Sequence, residues 1–263
     1  MVSCVAVLVS HTPTGWTASR DGEVVGRLGT LVRPDQRCFL VWRDCDAEAY
    51  GPLLDTALAT LHQDVYIELD EAAADAQHAC TQRGFTLIRR EHCYLLPTDP
   101  ARTGLAGQVT PEGLGIISAA QTNVDQLREL DDALRQEVPG TAGWGNDPHA
   151  FPRQTFDHPQ FDTATYLVAV DHRTGQYVGL VRVWMTPSQP RLGLIGVLAP
   201  WRRRGLAATL LAQALGVLYD RGLLGATCEV DHTNTASNAL MLRIGARRTG
   251  GQIELVRRRT PSP

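Results

Sequence analysis

Hydrophobic residues recur along this chain in two different periods, and these predict an alternation of strands and helices. Positions 165–170 and 177–184 are two runs rich in branched and aromatic residues, separated by a polar segment with a glycine, which is typical of a β-hairpin. The apolar run at 192–198 predicts a further strand. From Leu206 onwards, leucines and alanines recur every three or four residues instead, which predicts a helix with one apolar face.

The segment between this strand and this helix is short and basic, and it reads APWRRRG at positions 199–205. The first N–H groups of a helix lack partners and the macrodipole is positive there, so such a loop is suited to binding phosphate. We expect Gly205 to allow a close approach and the arginines to add charge-assisted hydrogen bonds. The P-loop pattern is excluded because it requires a lysine and the chain contains none. The dinucleotide-binding pattern is excluded because it requires three glycines and this loop has one.

The first half of the chain shows the same order of elements with a different loop. Strands are predicted at 15–19, 24–31 and 38–42, followed by a helix at 47–62, a strand at 65–69, a helix at 71–83 and a strand at 85–96. Positions 44–48 read DCDAE, and three carboxylates at a helix start would repel a pyrophosphate.

A segment rich in Pro, Gly, Thr and Ala follows at 97–112 and predicts a linker. We therefore expect a first domain at 1–98, a linker at 99–112 and a second domain at 113–263. In the second domain, Thr122 and Asp125 predict the capped start of a helix, and positions 139–161 predict a long irregular loop. Both halves together predict an α/β protein with a mixed sheet.

Composition narrows the class of protein. With 263 residues, 43% hydrophobic and 20% charged, the sequence is that of a soluble globular protein, and no apolar run is long enough for a membrane span. The formal net charge of −3 argues against nucleic-acid binding. The sequence has no basic leader, so we expect a cytoplasmic protein. The six cysteines include no C-x-x-C pair, which predicts reduced thiols and neither a disulfide framework nor a metal site; they are Cys4, Cys38, Cys45, Cys80, Cys93 and Cys228.

The basic loop resembles the acyl-CoA loop of the GNAT superfamily of N-acetyltransferases. The family pattern [RQ]-x-x-G-x-[GA] is matched by Arg202, Gly205 and Ala207. The sequence then continues like the family's ending, with a strand, Asn234 four residues after Val230, a helix, and Gly245 at its end. The Gly-Phe pair at 84–85 also resembles the family, which implies a tandem arrangement whose N-terminal half is a degenerate GNAT repeat without a phosphate loop.

The resemblance implies acetyl-CoA as the bound cofactor. Strands ending at Leu198 and Val230 would diverge to hold it, and Asn234 and Asn238 would either contact it or cap a helix. Backbone groups of the first strand would bind the pantetheine arm and the loop would bind the pyrophosphate; the first set is Ile195, Val197, Leu198 and Ala199, and the second is Arg202, Arg203, Arg204, Gly205, Leu206 and Ala207.

The resemblance also suggests catalytic residues. Glu229, one residue before Val230, resembles the general base of enzymes that acetylate ribosomal-protein N-termini, although an ordinary surface glutamate fits equally well. Met241 stands where much of the family has a tyrosine acid, and a thioether cannot donate a proton. Either no acid is used, or Tyr219 or Cys228 serves instead.

These features predict an acetyl-CoA-dependent N-acetyltransferase whose partner is a small-molecule primary amine. The acceptor side would be formed by positions 138–161 and by the face of the N-terminal half. Polar residues in and directly after this segment either recognise a cationic amine or are ordinary loop polars; they are Asp147, His149, Asp157, His158 and Asp162. A non-catalytic acyl-CoA-binding module and a protein N-terminal acetyltransferase remain as alternatives, and the sequence leaves a homodimer open.

Overall fold

The computed structural model describes residues 6–141 and 143–259, and these form two compact units. Unit 1 comprises positions 6–90 and 250–259, and unit 2 comprises positions 91–249 apart from residue 142. Cys4 lies outside the described residues.

Unit 1 is a mixed sheet that begins with four antiparallel strands. In this sheet, the neighbouring strands are, in order, β1 (Leu8–Thr12), β2 (Gly15–Arg20), β3 (Glu23–Val32), β4 (Cys38–Arg43), β5 (Val65–Asp70) and β12 (Arg247–Arg257). Strand β5 runs parallel to β4 and antiparallel to β12. A 3-10 turn, Ala47–Ala49, leads into the first helix. The other elements of this unit are α1 (Tyr50–Thr60), α2 (Ala74–Thr81) and the start of β6 (Thr86–Pro97).

The two faces of the unit 1 sheet are covered in different ways. On one face, Leu53 and Leu54 of α1 pack against strand residues such as Leu40. On the opposite face, arginine side chains lie over aromatic rings, with the Arg33 guanidinium 3.6 Å from the ring centre of Phe39. Part of this face is therefore covered by arginine side chains from the turn between β3 and β4.

Unit 2 repeats the same plan with more helix. Its sheet order is β6-β11-β10-β9-β8-β7, and β10 and β11 form its parallel pair. The elements are α3 (Pro100–Thr103), β7 (Leu114–Ser118), a 3-10 turn (Ala119–Gln121), α4 (Val124–Arg135), α5 (Phe151–Thr155), β8 (Tyr166–Asp171), β9 (Tyr177–Trp184), β10 (Arg191–Val197), α6 (Leu206–Asp220), β11 (Gly225–Asp231), α7 (Thr235–Arg243) and β12 (Arg247–Arg257). The predicted mixed α/β sheet is confirmed.

Helices of unit 2 bury both faces of its sheet. Leu210 and Leu211 of α6 belong to a core that includes Val181 of β9. Leu127 and Leu130 of α4 pack on the other face, where β9 contributes Leu180. Successive strand residues point to opposite faces, so β9 serves both cores.

The final strand of each repeat pairs with the other unit's sheet. Residues 91–97 of β6, which follow α2 in the chain, pair with β11 in unit 2. Residues 252–257 of β12, which follow α7, pair with β5 in unit 1. The compact units therefore divide at 90/91 and 249/250, whereas the sequence predicted domain boundaries around 99–112.

Two sequence predictions for unit 2 need correction. The helix α4 is capped by Asn123, whose Oδ1 accepts from the N–H groups of Asp125 and Gln126, and not by Thr122. The segment predicted to be a linker contains α3 and packs within unit 2, where Leu105 joins the core. Short polar side chains at adjacent positions compete for the same cap, and the backbone conformation decides between them.

Candidate functional site

Two neighbouring strands of unit 2 separate and leave an opening in the sheet. The parallel strands β10 and β11 are in register at a single position, Arg191 opposite Thr227. Beyond it, β10 stays paired with β9 and contains a bulge between Leu192 and Leu194. The two strands diverge from Arg191 towards their carboxyl ends, as the resemblance implied.

The opening exposes backbone groups of β10. The N–H of Leu198 donates to the carbonyl of Val178 on β9 at 2.9 Å. Because residues of an antiparallel strand alternate in direction, Ile195 and Val197 direct their N–H and C=O groups towards the opening. Both backbone groups of Leu198 form hydrogen bonds within the protein, since its carbonyl also accepts from Trp201 N–H at 2.8 Å.

The helix α6 begins beside this opening without a capping side chain. Its N-cap residue is Gly205, in the left-handed conformation with φ of 83°. A Cβ at Gly205 would meet nothing within 4 Å, so the backbone conformation and not the lack of space requires glycine. The first N–H groups of α6 therefore point out of the helix, and no side chain among the described residues caps them.

A cleft of about 580 Å³ combines the opening and the helix start. Of the residues predicted to bind the cofactor, Ile195, Val197, Arg202, Arg203, Gly205, Leu206, Ala207 and Asn234 line it. Leu198, Ala199, Arg204, Asn238 and Glu229 are not in its lining. Val138, from the predicted acceptor segment, also lines the cleft. Sequence reasoning missed the rest of the wall, which is formed by Leu134, Glu137, Gly196, Trp201, Ala208, Ala236, Ser237, Leu240 and Arg243.

The three arginines of the loop have different surroundings. Arg202 donates through Nε to the carbonyl of Val197 at 2.8 Å and forms an ion pair with Glu137. The guanidinium of Arg204 lies 5.1 Å from the ring centre of Trp201. Arg203 lines the cleft in a left-handed conformation with φ of 63°, and no acidic side chain in the described ranges pairs with it. Arg203 is therefore the loop cation that is ready to bind an anion.

The two asparagines of α7 have structural roles. Asn234 caps the helix, since its Oδ1 accepts from Ser237 N–H at 3.1 Å, and it also lines the cleft. Asn238 donates to the carbonyls of Asp231 and Asn234 at 2.9 and 2.8 Å and accepts from Tyr94 Oη at 2.8 Å. Asn238 thus ties α7 to β11 and β6.

Glu229, the predicted base, is held in an ion pair with Arg191. Nε and Nη2 of Arg191 lie 2.8 and 2.7 Å from the same carboxylate oxygen, Oε2. The Glu229 side chain is 14% exposed and that of Arg191 is 44% exposed. The pair joins β10 to β11 where the two strands begin to separate.

The residues considered as general acids differ in position. Tyr219 lies near the far end of α6, roughly 20 Å from its first residue at 1.5 Å per residue, and cannot serve. Met241 is buried, and its Sδ lies 3.5 Å from Sγ of Cys228. Burial, reinforced by the charge of Glu229, raises the pKa of the Cys228 thiol to about 12, so this thiol stays protonated at neutral pH.

A buried polar network under α4 holds the wall of the cleft. Asp131 is fully buried and accepts from Arg135 Nε at 2.6 Å, Arg182 Nη1 at 3.1 Å and Asn146 Nδ2 at 2.9 Å. Burial alone would raise the pKa of Asp131, but attraction to Arg182 and Arg135 with these hydrogen bonds lowers it. The network fixes the segment after α4, which contributes Glu137.

The acidic residues of the predicted acceptor loop are engaged in local structure. Asp147 accepts from the N–H groups of His149 and Ala150, just before α5. Asp162 pairs with Arg221 at 2.8 Å. Their contacts support the interpretation of these two residues as ordinary loop polars.

Two further observations concern the described part of the chain as a whole. No helix in it combines the length and the apolar character needed to cross a bilayer. Its histidine, cysteine and carboxylate side chains form no group of three or more suited to a metal ion.

Part of the chain is similar to a known family. Residues 127–246 match the model of the Acetyltransferase (GNAT) family. The mycothiol acetyltransferase of Salinispora arenicola (strain CNS-205) is 36% identical over 107 residues, which are 38% of this chain and 34% of that protein. The mycothiol acetyltransferase of Salinispora tropica is 36% identical over 103 residues, 37% of this chain and 33% of that protein. The match thus spans about a third of each of these relatives.

Solved structures extend the likeness to both units. A GCN5-related N-acetyltransferase from Sphaerobacter thermophilus has a TM-score of 0.74 and 20% identity, over 95% of this chain and 82% of that chain. A tandem GNAT protein from the clavulanic acid biosynthesis pathway has a TM-score of 0.69 and 16% identity, over 97% of this chain and 86% of that chain. These structures show the fold, which is a GNAT fold that includes a GNAT-like N-terminal half.

Proposed function

We propose that this protein is an acetyl-CoA-dependent N-acetyltransferase that acts on the primary amine of a small molecule. The observation that carries the proposal is the meeting of two features in one cleft of unit 2. These are the diverging strands β10 and β11 and the uncapped start of α6 at Gly205, with Arg203 beside it.

The residues of the cleft fit the cofactor part by part. The free N–H groups of α6 and the cation of Arg203 suit a pyrophosphate. The backbone N–H and C=O groups of Ile195 and the N–H of Val197 face the opening and suit the amides of a pantetheine arm, whereas the carbonyl of Val197 already accepts from Arg202 Nε. The α7 side of the cleft, with Asn234 and Arg243, would bind the nucleotide end.

When bound, acetyl-CoA supplies the thioester to which the amine adds. The amine must first be neutral, and for a pKa of about 10.4 the deprotonation at pH 7 costs about 4.6 kcal/mol. Glu229 can accept this proton through Oε1, which has no hydrogen-bond partner within the described ranges. Met241 has no proton to donate to a leaving group.

The proposal is tested with acetyl-CoA, a panel of primary amines and a thiol-release assay. The panel includes unacetylated mycothiol, because the two Salinispora relatives carry the name mycothiol acetyltransferase. We expect one coenzyme A to bind per chain and thiol to be released with at least one amine. Binding without release for any amine would contradict the transferase proposal.

Two observations favour a second candidate function, a non-catalytic acyl-CoA-binding module. Met241 occupies the position where the family resemblance places a tyrosine, and Glu229 is tied to Arg191. The comparison of Glu229→Gln with the unchanged chain separates the two functions. A transferase that uses Glu229 loses turnover at least about tenfold, whereas a binding module keeps the same coenzyme A affinity and shows no turnover in either form.

A further inference from the structure

The ion pair between Arg191 and Glu229 lies where an acceptor would meet the diverging strands. Arg191 is the first residue of β10 and the single position at which β10 is in register with β11. Glu229 is two residues beyond Thr227, the partner of Arg191 in that register. The pair thus stands at the vertex of the opening, with one charge on each strand.

The pair faces the side of the sheet on which α4 lies. Leu192 and Cys228, the neighbours of Arg191 and Glu229, point into the core beneath α6. Because neighbouring strand residues face opposite sides, Arg191 and Glu229 point away from that core. Trp184 lies opposite Arg191 on β9, and the His158 ring packs at 4.9 Å from it. The ion pair is therefore bordered by an aromatic wall, and its two side chains are partly open to solvent.

An ion pair at this position discriminates between classes of amine. A simple ammonium ion that binds Glu229 comes close to the cation of Arg191, and this repulsion weakens its binding. A zwitterion can align head to tail with the pair, so that its ammonium meets Glu229 and its carboxylate meets Arg191. Both contacts between Arg191 and Glu229 use Oε2, which leaves Oε1 for the ammonium.

We infer that the acceptor is a zwitterionic amine, with a carboxylate on the carbon next to the amine, as in an α-amino acid. An α-amino acid carries its ammonium and carboxylate groups on neighbouring carbons, so its two charges are close together. The ion pair has a similarly short separation, because Nη2 of Arg191 lies 2.7 Å from Oε2 of Glu229. This inference rests on the proposed function and specifies its substrate class. On transfer, the ammonium group would lose one proton to Glu229, and the neutral amine would form a bond to the acetyl carbon as the C–S bond of the thioester breaks. The coenzyme A thiolate that leaves would take up the second amine proton, while the carboxylate of the acceptor stays on Arg191.

The first experiment measures binding and needs no turnover. The twenty protein amino acids, their carboxamides and their decarboxylated amines are titrated calorimetrically into the full-length protein. We expect at least one amino acid to bind at least tenfold more tightly than its carboxamide and its amine. If every amino acid binds no more tightly than its carboxamide, the inference is overturned.

Variants then assign that preference to the ion pair. Arg191→Gln is expected to reduce the preference to less than twofold, and Arg191→Lys to restore part of it, since a lysine keeps the charge without the planar fork. Arg90→Gln is the matched control, because Arg90 pairs with Glu71 at 2.6 Å in unit 1. A preference that persists in Arg191→Gln, with melting temperatures unchanged, would overturn the assignment.

The outcomes separate this inference from the proposed function. Selective amino-acid binding without acetyl transfer would contradict the transferase and leave the zwitterion site standing. Transfer to simple amines with no advantage for amino acids would establish the transferase and overturn the zwitterion site.

Discussion

The loops after β4 and β10 occupy the same place in two repeats of one fold, yet they carry opposite charge. In both units the strand pairs in parallel with the strand after the next helix, at three positions in unit 1 and at one in unit 2. In unit 2 the helix start has Arg203 and an uncapped Gly205. In unit 1 the equivalent loop has Asp44, Asp46 and Glu48, and Glu48 forms an ion pair with Arg20. The fold provides a helix start in both units, and the loop residues decide which one suits an anion.

The buried carboxylates of the two units show a similar contrast. Asp131 of unit 2 is enclosed by two arginines and an asparagine, and these lower its pKa despite burial. Glu254 of unit 1 is 5% exposed, and burial raises its pKa although Arg33 and Arg37 oppose the shift. At Asp131 the two arginines and the hydrogen bonds outweigh burial, whereas at Glu254 burial, with repulsion from Glu68, outweighs the attraction to the neighbouring arginines.

The largest effect is expected from Asp131→Asn. The change leaves two arginines without their buried counter-charge, and we expect the free energy of unfolding to fall by about 3–5 kcal/mol. Because the folded state lowers the pKa of Asp131, its stabilisation is present above the ordinary value of 3.8 and is lost as the pH falls through the folded pKa.

Urea unfolding at pH 7 and at pH 3 measures this loss. Glu129→Gln, an exposed change on the same helix, is the control and should stay within about 0.5 kcal/mol of the unchanged protein. A loss equal at both pH values would show that the charge of Asp131 does not stabilise the network.

The next effect is expected from Arg203→Glu in the basic loop before α6. The change removes a charge-assisted contact of about 1.5–3 kcal/mol and adds repulsion, so coenzyme A affinity should fall at least about thirtyfold. Calorimetric titration gives both the affinity and the number of sites, which we expect to be one per chain.

Arg43→Glu is the matched control for that measurement, because Arg43 ends β4 beside the acidic loop of unit 1. It should leave coenzyme A affinity unchanged. Equal losses in the two variants would mean that the charge of the whole protein, and not the position of the loop, determines binding.

The smallest effect is expected from Glu254→Gln. A raised pKa means that the stabilisation by this group is present at low pH and is lost as the pH rises through the folded pKa. The glutamine removes an unfavourable buried charge, so at pH 7 the free energy of unfolding should change by less than about 1 kcal/mol, or rise.

Urea unfolding at pH 4 and at pH 7 checks the direction of this pH dependence. Relative to the unchanged protein, Glu254→Gln should be more stable at pH 7 than at pH 4, the opposite trend to Asp131→Asn. Glu23→Gln at the exposed start of β3 serves as the control. A strong destabilisation at pH 7 would show that Glu254 is ionised and stabilising.

Local patterns in the sequence predicted much of the site. The apolar run ending near Leu198, the basic loop and the periodic leucines after Leu206 correctly placed a strand, a loop and a helix. Most of the loop residues that the motif identified are part of the cleft lining. Such features depend on residues close together in the chain, so one sequence suffices to identify them.

Contacts between distant residues were missed for a physical reason. Glu137 pairs with Arg202 and Glu229 pairs with Arg191, and nothing in the local sequence distinguishes these carboxylates from ordinary surface residues. The sequence by itself determined the order of elements, the repeat and the charge of each loop. The tertiary structure alone decided the exchange of the final strands, the partners of the buried charges and the partner of Glu229, the proposed base. Strand pairing and ion pairing depend on distances in space, and these are fixed only when remote segments pack together.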